Sequence, residues 1–247
     1  MSRRRSKAPS SAGRIEVREV AEGRELLLNG SFASFYRPGS PVTGSVWDAI
    51  AAPLLALAPE RRSSVLLLGL GGGSAARVVR ALAPRAEIVG VELDPEVVRV
   101  ARRRLDLDEL GIEIVIGDAR AFLMSEKRRF DVVLEDVFVG FGDDVHKPDW
   151  LPRPGHALAA RRVAPGGLLV SNTLDEFSAV AQALGELFPA LVRIDVEDYD
   201  NRIVAAGPEG LGARSLRAAV ARSPVLRETL PRLSFRGLRP RKARWGR

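Results

Sequence analysis

Residues 65–79 read VLLLGLGGGSAARVV. The run 65–68 is apolar at every position, which fits a strand buried on both faces. Gly69, Gly71, Gly72 and Gly73 then interrupt it, giving a backbone able to turn sharply and to come close to a ligand. From Ser74 onward, Val78, Val79 and Leu82 fall on one face of a helix. A buried strand, a glycine turn and a helix in that order open a doubly wound α/β sheet. Such a sheet binds ligands at the carboxyl ends of its strands, near the point where strand order reverses. Ser74 stands where the dinucleotide fingerprint has its third glycine. That departure counts against an NAD-dependent oxidoreductase.

Downstream, the same alternation continues. Strands are expected over 87–93, 112–116, 131–134 and 167–171, and helices over 95–105, 119–125, 158–163 and 176–188. The strands at 191–196 and 202–206 are joined by only five residues, too few for a crossover helix, so that pair is expected to be antiparallel. A last helix is read over 211–222. Upstream, short strand-like runs at 15–20, 25–28 and 31–36 surround Asn29-Gly30, a two-residue hairpin signal. A helix over 45–57 follows. The expected organisation is a basic tail over 1–13, a small β unit over 14–44, a mostly parallel seven-stranded domain over 45–222, and a basic tail over 223–247.

Charge supports that division. Residues 1–14 hold five cations and no acid, and residues 232–247 hold seven cations and no acid. Taking those ends from the total of +7 leaves −5 on residues 15–231. Cationic ends can hold phosphate backbones weakly and without sequence preference. A nucleic-acid-binding module is therefore an alternative, opposed by the acidic body and the lack of an aromatic stacking motif. With 0 cysteines and 2 histidines, disulfides and thiolate chemistry are excluded and a metal site is not expected. No apolar run is long enough to span a membrane, and the basic start lacks the apolar stretch of a secretory signal. A cytoplasmic protein is expected.

Three further strand ends carry acids. Glu92 lies 21 residues after Gly71, where a carboxylate can accept both ribose hydroxyls, or simply charge a helix start beside Asp94. Asp118 follows the third strand and can take an adenine amine, or cap the next helix. Glu135-Asp136 follows the fourth, close to Asp143 and Asp144, and reads alternatively as a solvated acidic loop.

Together the segments VLLLGLGGGSAARVV, VELDPEVVRVARRRL, GDARAFL, FDVVLED and APGGLLVSN resemble the spermidine synthase family of class I adenosylmethionine-dependent transferases. RELLLNGSFASFY resembles that family's small N-terminal β unit. The resemblance implies a Rossmann-like fold and a homodimer. It implies S-adenosylmethionine, or its decarboxylated form, held by Gly69, Gly71, Gly72, Gly73, Glu92, Leu93, Asp118, Ala119 and Asp136, with Asp136 as catalytic acid. No metal is implied, and the second substrate is a small amine. Two departures bear on that substrate. The family's loop aspartate falls on Gly72, and its second acid, three positions after the catalytic one, falls on Val139. Glu135, Asp143 and Asp144 remain to supply charge for an amine. Loss of the loop aspartate favours the alternative of a methyltransferase on the same scaffold, because that acid would repel the carboxylate of intact adenosylmethionine.

Overall fold

The computed structural model describes residues 14–239; the expected basic tail over 1–13 lies outside them, and that over 223–247 lies partly outside. Three antiparallel strands come first, β1 (Ile15–Val20), β2 (Gly23–Leu28) and β3 (Ser31–Tyr36). Asn29 and Gly30 turn the β2–β3 hairpin with φ of +55° and +86°, the left-handed pair that a two-residue turn requires. Helix α1 (Val46–Ala51) is wholly buried. The single helix expected over 45–57 is instead split, its second half tightening to a 3-10 turn over Ala52–Ala56. Pro53 has no N–H to return to the Ala49 carbonyl, so the α ladder stops there.

The main sheet is built from β4 (Ser64–Leu68), β5 (Glu87–Glu92), β6 (Glu113–Ile116), β7 (Phe130–Glu135), β10 (Val163–Thr173), β11 (Ala190–Val196), β12 (Arg202–Gly207) and β13 (Leu233–Leu238). Its order is β13-β11-β12-β10-β7-β4-β5-β6. The strands β4, β5, β6, β7 and β10 run parallel, and β12, β11 and β13 pair antiparallel beyond them. Crossovers are supplied by α2 (Ser74–Leu82), α3 (Pro95–Arg104), α4 (Ala119–Ser125) and α5 (Gly155–Ala160), with α6 (Phe177–Leu187) and α7 (Ala213–Arg222) completing the layers. A short hairpin, β8 (Val139–Phe141) and β9 (Asp144–His146), leaves the end of β7. Alternate residues of β4 feed opposite cores: Val65 and Leu67 pack on one face of the sheet, Leu66 and Leu68 on the other. No helix among the described residues is long and apolar enough to cross a membrane.

Two further expectations are corrected. The sheet has eight strands, because Leu233–Leu238 from the expected tail pairs along β11. Only Leu233 of that strand is buried, so an edge strand carrying Arg236 and Gly237 shows little apolar alternation. The helix expected over 158–163 is α5, ending at Ala160, while Val163 already belongs to β10. Pro165-Gly166 is a register irregularity inside that strand rather than the turn before it.

Strand order reverses between β4 and β7, and their ends touch. The Asp136 N–H donates to the Leu68 carbonyl at 2.9 Å. A Cβ on Gly69 would sit 2.4 Å from the Asp136 carbonyl oxygen, and Gly69 has φ +81°. Only glycine satisfies both the close approach and the left-handed backbone there.

Candidate active site

The glycine turn is fixed from two sides. On one side, the Gly71 N–H donates to Glu92 Oε2 at 2.8 Å, while Glu92 Oε1 accepts from the Asp94 N–H at 3.1 Å. Burial pushes the Glu92 carboxyl above its ordinary range, against the pull of the Asp94, Gly71 and Leu93 N–H groups. On the other side stands the N-terminal β unit. Ser34 Oγ accepts from the Gly72 N–H at 2.6 Å, and Ser74 Oγ both accepts from the Phe35 N–H and donates to the Phe35 carbonyl, each at 2.8 Å. A Cβ on Gly72 would lie 2.6 Å from Leu105 and 2.8 Å from Ser34. An aspartate at this position therefore has no room unless the Leu105 and Ser34 side chains give way.

Further along the strand ends, Asp94 caps α3 by accepting from Glu96, so Glu92 is left for other work. Asp118 caps α4 through the Ala121 N–H at 2.8 Å and is exposed. Ala119 is buried beneath it. Leu93 and Ile116 are 64% and 53% exposed, an open apolar surface at the ends of β5 and β6.

Asp136 hangs beyond β7, between α1 and β10. Trp47 Nε1 donates to its Oδ2 at 3.2 Å and Asn172 Nδ2 to its Oδ1 at 2.8 Å; Asn201 in turn donates to Asn172 Oδ1 at 2.9 Å. Burial raises the Asp136 carboxyl above its usual range, opposed by the Asn172 hydrogen bond and the Lys147 charge.

Glu135 corrects the sequence reading. It is neither a solvated loop acid nor a charge for an amine, because its side chain turns to the opposite face and is fully buried. Lys147 Nζ lies 2.6 Å from Oε1, which also accepts from the Val137 N–H at 2.8 Å. Ser171 Oγ donates to Oε2 at 2.6 Å, and His156 Nε2 is 3.3 Å from the same oxygen. Burial pushes this carboxyl up, but Lys147 and His156 outweigh it and bring it down to about 2. Asp144 lies far along the hairpin with its side chain 94% exposed. The hairpin itself is tied to the β2–β3 turn: the Gly142 N–H donates to the Asn29 carbonyl at 2.9 Å and Ser31 Oγ to the Gly142 carbonyl at 2.6 Å. Sequence reasoning missed Trp47, Lys147, His156, Ser171 and Asn172. The pair Ser171-Asn172 lies near the end of β10 beside Glu135-Asp136, and its place after the apolar run Leu168–Val170 was the one available signal.

Residues 65–167 match the family described as "Methyltransferase domain". A probable polyamine aminopropyl transferase of Bifidobacterium longum is 28% identical over 229 residues, covering 87% of this chain and 50% of that protein. A polyamine aminopropyltransferase of Mycobacterium tuberculosis is 32% identical over 190 residues, covering 70% of this chain and 34% of that protein. Among solved structures, a probable spermidine synthase from Corynebacterium glutamicum superposes with a TM-score of 0.70 at 21% identity, covering 93% of this chain and 91% of the other. The chain is similar in sequence to polyamine aminopropyltransferases and in fold to a spermidine synthase. It spans half the length of the first curated relative and about a third of the second. In this chain the glycine turn, Glu92 and Asp136 meet around the switch point, while Asp118 stands two strands away at the outer edge.

Proposed function

We propose that the chain is a transferase that takes S-adenosylmethionine or its decarboxylated form and passes an alkyl group from the sulfonium to an amine. The observation that carries this reading is the switch-point constellation. Glu92 braces the glycine turn on one side, and Asp136 stands at the end of β7 on the other, braced by Trp47 and Asn172. The open apolar surface of Leu93 and Ile116 suits the face of an adenine, and Asp118 beside it suits the adenine amine. Glu92 has lone pairs left for the ribose hydroxyls. Gly69, Gly71, Gly72, Gly73 and Ala119 supply close backbone.

A sulfonium supplies a carbon already activated for displacement. The protein's part is alignment and proton handling. Asp136 accepts the proton of the attacking amine at a carboxylate oxygen, a task suited to a carboxyl held above its ordinary range. The names of the curated relatives support aminopropyl transfer in polyamine synthesis. Gly72 favours a second reading, methyl transfer from intact adenosylmethionine, because no loop acid opposes that molecule's carboxylate. A cytoplasmic location and a homodimer belong to the same proposal and rest on family likeness.

Calorimetric titration with adenosylmethionine, its decarboxylated form, methylthioadenosine and S-adenosylhomocysteine tests it, because the preferred ligand names the group transferred. Glu92→Ala is expected to abolish measurable binding of all four, since each hydrogen bond to a charged acceptor is worth about 1.5–3 kcal/mol. Undiminished affinity for methylthioadenosine in that variant removes the ribose assignment. Absence of binding by the unmodified chain removes the cofactor reading altogether.

A further inference from the structure

One ammonium group brackets Asp136. Lys147 Nζ is 2.6 Å from Glu135 Oε1, 3.0 Å from the Val137 carbonyl oxygen and 3.9 Å from the centre of the Phe138 ring. These contacts fall immediately before Asp136 and on the two residues after it. The Lys147 side chain is 1% exposed. Its backbone is anchored too: the Lys147 N–H donates to Glu176 Oε1 at 2.7 Å, and Glu176 Oε2 accepts from the Leu174 N–H at 3.2 Å. Leu174 is two residues beyond Asn172, which donates to Asp136. Lys147 thus ties together the two chain segments that hold the carboxylate.

A buried ion pair is not what a fold needs for stability. Desolvating both charges consumes most of their attraction, and a neutral pair of similar volume commonly serves as well. We propose that Lys147 is a positioning residue for Asp136, acting through Glu135, Val137 and Phe138 to hold the carboxylate against Trp47 and Asn172. Its benefit to transfer rests on the reading of Asp136 as the base; the placement of Asp136 does not.

The groups around Asp136 make the effect measurable. Glu135 comes from its own strand, Lys147 from the segment after β9, and His156 of α5 stands behind Glu135. From α1 comes the Trp47 indole, from β10 the Asn172 amide backed by Asn201, and from the glycine turn only backbone. Lys147 favours the Asp136 carboxylate and Glu135 opposes it. Loss of the ammonium alone therefore leaves an opposing charge unbalanced.

The Trp47 indole N–H, hydrogen-bonded to Asp136, is the probe. The full chain has three tryptophans, so Trp47→Phe assigns its ¹⁵N–¹H resonance. That resonance is followed against pH, without cofactor or acceptor, in the unmodified chain, in Lys147→Met and in Glu135→Gln/Lys147→Met. In Lys147→Met the titration midpoint is expected to rise by about one pH unit or more. In both variants the resonance is expected to move toward that of an indole bonded to water. The double variant is neutral and close in shape, so it separates placement from stability and carries the test should the single variant fail to fold. A double variant that keeps the unmodified resonance and midpoint, or one that does not fold, assigns the cluster to the fold alone and overturns the proposal. A folded chain that transfers nothing to any amine overturns the proposed function and leaves this result standing.

Discussion

Asp136→Asn is expected to lower transfer by about 10²–10⁴-fold, the usual contribution of a positioned general base. Affinity for methylthioadenosine should change little, because Glu92 and the glycine turn are untouched. Asparagine keeps the shape of the side chain but cannot take a proton. It also brings an amide donor into a place where Trp47 Nε1 and Asn172 Nδ2 both donate. One of those contacts becomes donor against donor, so stability falls somewhat and rates must be compared per folded molecule. The pH profile separates the two effects. Burial holds the Asp136 carboxyl above its ordinary range, so its base form fills only as pH rises through that raised value. Single-turnover rates of the unmodified chain should climb across this window while those of the variant stay flat. An equal climb in both places the titrating base elsewhere.

Glu135→Ala is expected to be the most damaging single change to stability, at about 3–5 kcal/mol, because it leaves the Lys147 ammonium buried without its counter-charge. Denaturant unfolding at neutral pH measures it. The sign of the pH dependence follows from the folded carboxyl lying at about 2 against an ordinary 4.5. Its stabilising contribution is complete above 4.5 and is lost as pH falls toward 2, so the gap between the two proteins should close across that interval. A constant gap down to the lower limit means that the loss comes from packing rather than from charge.

What could be read in advance follows physical range. Local signals were sufficient for the glycine turn, the Asn29-Gly30 hairpin and the parallel strands, because turn chemistry and apolar runs act within a few residues. The positions of Glu92 and Asp136 at strand carboxyl ends followed from the strands. The Glu135 environment did not. Its partners come from positions 147, 156 and 171, and a lysine followed by a proline in a loop gives no local sign of burial. Alternation along FDVVLED does place Glu135 and Asp136 on opposite faces, yet it cannot say that one face is dry and closed by a cation. Strand β13 was missed for the opposite reason. It is held by backbone pairing at an edge, where side chains need carry no pattern. Asp118 shows a third limit: the structure has it capping α4, and a cap leaves a carboxylate oxygen still able to meet a ligand.

The clasp between β3 and the glycine turn has a consequence for local opening. The Gly72 amide is protected by the Ser34 hydroxyl and the Phe35 amide by the Ser74 hydroxyl, across 38 and 39 residues of chain. Each of these two hydrogen bonds runs between the two parts and is lost if they separate. Hydrogen exchange at both should therefore proceed through one shared opening, in which the N-terminal sheet lifts as a unit. Any ligand that grips the glycine turn would slow exchange at Phe35 without touching it, and the amide of an upstream strand would then register occupancy of the crevice.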